Sequence, residues 1–299
     1  MRAWVCTELT GEDGLSFEEH MEPVCGPGQV QVKTKAVALN YPDVLITRGK
    51  YQLKQDPPFV PGSELAEEVV VSPPMQQVMA IPGRMSYEEA AAFNMVHGTA
   101  MHGLEQRGFL QPGETVLVLG AAGGCGGAAV QVANAMGAKV IAGASSQTKC
   151  EKAREAGADA VINYGVQDLR ERALELTKGR GVDMVFDPVG DKLFRPAIRS
   201  LAWNGRYLVV GFAGGDIPEL GVNYTIMKSV SVVGVAYGMS AAKDPAMNMG
   251  NFMQLFEWYE QGLIKPMIGG RYVCDELPDA LREMYAGDAV GKSVVSFGY

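Results

Sequence analysis

The chain has 299 residues, which at roughly 150 residues per domain predicts two domains, each large enough to bury a core. Its 34 acidic and 26 basic side chains give a formal charge of -8, and 47% of the residues are apolar; this balance argues against a broad electrostatic footprint for nucleic acid. The start, MRAWVCTELTGEDG, lacks the apolar run of a secretory segment, and no stretch approaches the roughly 18 apolar residues that span a bilayer. A cytoplasmic protein with no membrane partner is expected. Cys6, Cys25, Cys125, Cys150 and Cys274 are scattered, with no C-x-x-C pair, and read as reduced thiols.

In chain order, RAWVCTE, LSFEEH and QVQVKTKAVALN are strand-like and separated by the turn clusters GEDG and PVCGPG, which predicts a small, mostly β first domain. Ser86 and Glu89 form a capping-box pattern ahead of the Ala-rich run AAAFNMVHGTAMHGLEQRG, a predicted helical connector. From Glu114 the pattern changes to short β-branched runs alternating with amphipathic stretches. Strands are predicted at 114–120, 138–144, 159–164, 182–189, 205–212 and 229–235, with helices at 124–136, 147–156, 167–178 and 191–201. Near-continuous apolar strands separated by helices imply a parallel sheet covered on both faces. The last forty residues turn strand-like again around a helix from about 277 to 286, so the chain is expected to return to its first domain and close a cleft. The predicted division is 1–98 with 266–299, and 99–265.

After the strand ETVLVLG come Ala121, Ala122, Gly123, Gly124, Cys125, Gly126 and Gly127, followed by the helical AAVQVANAMG. A glycine loop between strand and helix lets backbone N–H groups approach a pyrophosphate at the positive end of the helix. Small residues in such a turn also serve tight helix packing, but the strand–loop–helix–strand context favours a dinucleotide site at Ala122, Gly123, Gly124, Cys125 and Gly126. About 20 residues on, where a carboxylate would select the 2′-hydroxyl of NAD, the sequence offers Ser145, Ser146 and Lys149. Two hydroxyls and an ammonium suit a 2′-phosphate and point to NADPH. The competing reading is that a serine caps the next helix and Lys149 is a solvated surface charge.

A hydride-transfer protein of this layout could use zinc, yet none of His20, His97 and His102 is paired with a cysteine at ligand spacing. His97 and His102, five apart, read as core or helix-surface residues. Metal-independent hydride transfer to an electrophilic carbon follows, with polar groups near Asn40, Asp43 and Tyr51 orienting the acceptor or supplying a proton.

The segments NYPD (40–43), RGKY (48–51), PGSE (61–64), GTA (98–100), the loop at 121–126, VINY (161–164), DPVG (187–190), SLAWNGR (200–206), GFAGG (211–215) and Gly291–Lys292 together resemble the medium-chain dehydrogenase/reductase superfamily, in its zinc-free quinone oxidoreductase branch. The resemblance runs over nearly the whole chain. It implies an α/β fold, a Rossmann doubly wound parallel sheet with NADPH, plus a GroES-like, mostly β catalytic domain, usually as a homodimer. It places Asn40 and Thr99 near the nicotinamide, Ser145, Ser146, Lys149 and Tyr164 around the 2′-phosphate, and Val189, Phe212 and Lys292 along the cofactor. Tyr51 would touch the substrate and Asp43 would hold the local network, although Tyr51 could equally be a packing residue and Asp43 a helix cap. Zinc ligands of relatives are matched here by Asn40 and Ser63.

One departure stands out. Ser63-Glu64-Leu65-Ala66 joins Glu67-Glu68-Val69-Val70 directly, where the family pattern continues through about two more strands, on the order of 25 residues. A shortened first domain with an exposed or rebuilt sheet edge is expected. The expected activity is reduction of quinones or related conjugated carbonyl compounds. The competing expectations are a 2-enoyl thioester reductase and an NADPH-binding protein with little turnover.

Overall fold

The computed structural model describes residues 1–22, 24–26, 29–52, 54–71 and 78–297, so part of the turn predicted at PVCGPG and the last two residues lie outside it. The chain forms two compact units, Met1–Asn94 with Ile268–Tyr299, and Met95–Met267. The strands are β1 (Arg2–Cys6), β2 (Leu15–Glu19), β3 (Gln31–Ala38) and β4 (Leu65–Val71); β5 (Thr115–Val118), β6 (Lys139–Ala144), β7 (Ala160–Asn163), β8 (Val182–Asp187), β9 (Leu201–Val209) and β10 (Ser231–Gly234); then β11 (Ile268–Val273) and β12 (Lys292–Ser296).

In the second unit six strands pair in parallel in the order β10-β9-β8-β5-β6-β7. Helices Gly124–Ala135, Gln147–Glu155, Leu169–Leu176 and Phe194–Arg199 make the crossovers. All four residues of β5 are buried, which is why its sequence, TVLV, carries no alternation. Leu117, Ile141, Ile162, Val185 and Tyr207 share one apolar cluster with Phe194 and Ile198. The strand order reverses at β5 and β8, so loops leaving their carboxyl ends diverge and open a crevice. This is the expected doubly wound sheet.

Two predicted boundaries move. The strand expected at 205–212 starts at Leu201, because pairing with β8 slips from Val182–Leu201 to Met184–Arg206 and bulges the residues between. Asn204 there takes φ 61° and Trp203 is 68% exposed, so an Asn-Gly turn signal sits inside a strand. The expected Ala-rich helical run breaks into Tyr87–Ala91, Asn94–Met101 and a wider π turn at His102–Arg107. The first break falls at Phe93, buried at 2% exposure. The Ser86 cap itself is formed: its Oγ accepts from Glu89 N–H at 3.2 Å and its N–H donates to Glu89 at 3.0 Å.

In the first unit β11-β12-β3-β4 form one sheet, parallel between β11 and β12 and antiparallel elsewhere. β1 and β2 form a separate antiparallel hairpin, in which Trp4 stacks on Phe17 and donates from Nε1 to Cys274 O at 2.8 Å. Helices Tyr41–Thr47 and Leu277–Ala286 pack against the sheet through Leu39, Val44, Ala280, Leu281 and Val295. The junction noted in the sequence lies just before and within one uninterrupted strand, β4, which ends the sheet among the described residues.

Candidate functional site

The crevice side of the second unit is built by the ends of five strands. β5 leads into a loop whose Ala121 N–H donates to Gly143 O at 3.1 Å, and the next helix starts at Gly124 with Gly123 as its cap. Gly123 has no side chain to offer its own helix, and the first turn carries no acidic residue. The helix dipole therefore favours an anion at this end. A Cβ on Gly126 would lie 2.2 Å from Gly120 O, so only glycine lets the helix sit this close to the strand end. Ala122 is buried, while Gly123, Gly124 and Cys125 are half-buried at the loop surface.

β6 and β7 run side by side to Ala144 and Asn163, which brings Ser145 next to Tyr164. The two side chains hydrogen-bond; burial pushes the Tyr164 phenol up, and the Ser145 bond opposes that. Ser146 is the cap of helix Gln147–Glu155, with its Oγ accepting from Lys149 N–H at 3.3 Å. The capping alternative is thus realised for Ser146, while Ser145 is exposed and Lys149 half-buried beside it. No carboxylate stands among residues 144 to 149.

At the end of β8 the buried Asp187 organises the opposite wall, a role sequence reading had not given it. Its Oδ1 accepts from Val189 N–H and Gly190 N–H, both at 2.8 Å, and its Oδ2 accepts from the Tyr207 hydroxyl at 2.5 Å. The turn sets Val189 against Gly120 and, through Gly190 at φ 67°, brings the backbone against Phe212. The available signal was Asp-Pro-x-Gly at a strand end, an Asx-type turn. Burial raises the Asp187 carboxyl, while Tyr207 and the two N–H groups oppose the rise. Tyr207→Phe is expected to cost about 1–3 kcal/mol by leaving a buried carboxylate oxygen unpaired. A raised acid favours folding at low pH and disfavours it as pH climbs through its folded value. The deficit should therefore be smallest below the ordinary value of 3.8 and grow above it, which urea titrations at several pH values will read.

The first unit carries a separate polar cluster. The antiparallel register places the end of β3 between the starts of β12 and β4, with Val294 opposite Ala38 and Val37 opposite Leu65. Lys292, Asn40 and Glu64 consequently meet below the surface. The Lys292 ammonium donates to Leu39 O at 2.8 Å, Asn40 Oδ1 at 2.7 Å and Glu64 Oε2 at 3.0 Å. An ammonium has three protons and all three are taken. The resemblance puts Lys292 along the cofactor, and its bonds here anchor Asn40, whose Nδ2 also donates to Glu64 at 3.0 Å. Asp43 caps helix Tyr41–Thr47 by accepting from Asn40 N–H at 2.8 Å, and accepts from Ser63 Oγ at 3.2 Å. Burial raises the Asp43 carboxyl and Glu64 adds to it, against the Asn40 N–H, the Lys292 charge and the Ser63 bond.

Tyr51 is half-buried in the loop after this helix and is not part of the cluster's hydrogen bonding among the described residues. Thr99 lies in the second unit, its Oγ1 donating to Met95 O at 2.6 Å. His97 and His102 are buried at 1% and 4% exposure, and burial lowers His102 below the ordinary histidine value. Glu64 and Ser63 are further members that sequence reading had not put in a working role.

A doubly wound sheet with a glycine-rich strand-to-helix loop at its switch point is the architecture of a dinucleotide-binding protein, here joined in one chain to a small β unit. Residues 124–255 match the family model described as zinc-binding dehydrogenase, and residues 26–81 match the alcohol dehydrogenase GroES-like domain. Quinone oxidoreductase-like protein 2 of Bos taurus is 35% identical over 325 positions, covering 99% of this chain and 92% of that one. A probable oxidoreductase from Mycobacterium abscessus superposes with a TM-score of 0.89 at 32% identity, covering 99% of both chains. The quinone oxidoreductase from Thermus thermophilus, solved also in complex with NADPH, does so with a TM-score of 0.89 at 30% identity, covering 99% of this chain and 100% of its own. The chain belongs to the medium-chain dehydrogenase/reductase superfamily, among its quinone oxidoreductase-like proteins. The 325 aligned positions exceed the 299 residues available, so the bovine relative carries residues that this chain lacks.

The matched model is named for zinc, and the donor set here does not fit that ion. Asn40 and Ser63 are engaged with Lys292, Glu64 and Asp43, and no group of three His, Cys, Asp or Glu among the described residues could hold a metal.

Proposed function

We propose that the protein is an NADPH-dependent, metal-independent oxidoreductase that reduces quinones or related conjugated carbonyl compounds. The observation that carries this reading is the cradle at the β5–β8 switch point, coupled to a rim that has Ser145, Lys149 and Tyr164 where a carboxylate would select NAD. The NADPH complex of the Thermus relative and the names of the other relatives support it. When bound, the cofactor supplies hydride. The residues assigned to hold it are Asn40, Thr99, the loop Ala122–Gly126, Ser145, Ser146, Lys149, Tyr164, Val189, Phe212 and Lys292. Asn40, Asp43 and Tyr51 are assigned to the acceptor, and Lys292 fixes Asn40.

The reading extends to a cytoplasmic homodimer. Five cysteines outside any disulfide and the lack, among the described residues, of any helix long and apolar enough to cross a membrane are consistent with that setting. β10 ends its sheet among the described residues, and the nearby Val222, Ile226 and Met227 are exposed, which favours self-association.

The test is a fluorescence titration with NADPH and NADH, followed by quinone and enoyl-thioester turnover assays. Lys149→Ala is expected to weaken NADPH about tenfold to hundredfold, the worth of a charge-assisted hydrogen bond, and to leave NADH unchanged. An unaltered preference would remove Lys149 from the 2′-phosphate site. Binding without turnover of either acceptor class would reduce the protein to a dinucleotide-binding module.

A further inference from the structure

The formal charge of the chain is -8, yet a cleft in its second unit is lined by two arginines that no carboxylate pairs among the described residues. Arg195 and Arg199 are exposed and four apart on helix Phe194–Arg199, so both guanidiniums rise from one face of it. Like charges at that spacing repel, and Glu219, the carboxylate that also lines the cleft, forms an ion pair with neither. Arg195 has no hydrogen-bond partner among the described residues, and Arg199 has one for its side chain, its Nε donating to the Tyr224 hydroxyl at 3.0 Å. Because that hydroxyl accepts from Arg199, its own proton is left to donate. A third cation stands at the end of the same helix, where Lys228 Nζ donates to Arg199 O at 3.3 Å and Leu201 O at 2.7 Å.

The floor of the cleft is apolar. Phe194 and Ile198 are 4% and 3% exposed, and Leu220 and Tyr224 pack against the core cluster to which both belong. The cleft measures about 150 Å³, the size of a cavity that takes a benzene ring. No residue assigned to the cofactor lines it, and neither do Val222, Ile226 and Met227, the exposed apolar residues of the neighbouring segment. Planar guanidiniums match a carboxylate, whose two oxygens each accept from a separate fork. The lining carries two positive charges and one negative, which leaves one positive charge for a ligand to neutralise; Glu219 repels the second charge of a phosphate. We propose that this cleft is a binding site for a small aromatic carboxylate, its ring on Phe194, Ile198 and Leu220 and its carboxylate between Arg195 and Arg199, with the Tyr224 hydroxyl as a further donor. None of these residues has a part in the reductase reading, so the site stands or falls separately from it.

The test is a ¹⁹F NMR titration of the full chain with 4-fluorobenzoate, repeated with the neutral 4-fluorobenzamide and with inorganic phosphate as competitor. The wild type should bind the benzoate with a dissociation constant of about a millimolar or below, and the amide about tenfold more weakly. Arg195→Gln, at an exposed position without partners, should raise the benzoate constant about tenfold and leave the melting temperature unchanged. Arg199→Gln should raise it by a similar factor; if the lost Tyr224 bond lowers its melting temperature, the Arg195 variant carries the comparison. Glu219→Gln should tighten benzoate and make phosphate a better competitor, whereas phosphate should displace benzoate from the wild type only at concentrations about tenfold above those of unlabelled benzoate. The absence of saturable benzoate binding overturns the proposal, as does binding that the arginine variants leave unchanged, which would place the ligand elsewhere. An amide that binds as well as the benzoate, or phosphate that competes as well as unlabelled benzoate, overturns the ligand class.

Discussion

Lys292→Met should destabilise the protein by about 3–5 kcal/mol, the usual consequence of removing one partner from a buried ion pair. The two side chains are 4% and 1% exposed, so water cannot replace the missing ammonium at Glu64. The substitution also strips a donor from Leu39 O and from Asn40 Oδ1, leaving three acceptors short at once. Glu64→Gln alone should cost less, because an amide still accepts from Lys292 while the ammonium retains two other partners. The double variant should be more stable than Lys292→Met, since it no longer buries a carboxylate without a cation. Urea denaturation of the four proteins gives the coupling directly. A cost below about 1 kcal/mol for Lys292→Met, the size expected of an exposed pair, would mean that water reaches the cluster. In the fraction that folds, Asn40 loses the partner that fixes its amide, so turnover should fall even where NADPH affinity holds.

The contrast between Asp43 and Lys292 shows what the sequence makes legible. Asn40 and Asp43 are three residues apart at a helix start, as are Ser86 and Glu89, and as are Ser146 and Lys149; each of these contacts is local and could be read from spacing. The strand–glycine–helix unit at 114–136 is legible for a related reason, since a buried parallel strand, a tight loop and an Ala-rich helix follow one another without interruption. Lys292 meets Glu64 and Asn40 across 228 and 252 residues, and nothing in a Gly-Lys dipeptide indicates which carboxylate the sheet register will bring to it. The resemblance places Lys292 along the cofactor, and only the pairing of β12 with β3 reveals the three acceptors its ammonium meets. Asp187 falls between these cases: its bonds to Val189 and Gly190 are local, but the Tyr207 hydroxyl that completes its shell arrives from the adjacent strand. The start of β9 was misplaced because Asn204-Gly205 is chemically a turn, and only the bulge against β8 allows a strand to contain it.

Gly126→Ala should uncouple the glycine loop from the sheet and weaken NADPH binding about tenfold to hundredfold. The residue is not held at positive φ, so the argument is one of space alone. An added Cβ would meet Gly120 O at 2.2 Å, Gly120 C at 2.7 Å and Ala121 Cα at 2.9 Å. All three atoms are backbone at the end of the central strand, and none can swing aside as a side chain would. The first turn of helix Gly124–Ala135 must therefore move outward, and the N–H groups at its cap move with it. Overpacking of this kind costs about 1–3 kcal/mol, and where the strain is relieved by displacing the cradle the same energy appears as lost affinity. Gly123→Ala provides the comparison, because its Cβ would lie 3.3 Å from Gly120 O and needs only a few tenths of an ångström of relief. Thermal melts without cofactor and fluorescence titrations with NADPH separate the two effects. The alanine at 126 should lower both the melting temperature and the affinity, and the alanine at 123 should spare the fold. If Gly126→Ala binds NADPH as the wild type does, the close approach of helix to strand serves packing alone, and the phosphate cradle must be sought elsewhere along the crevice.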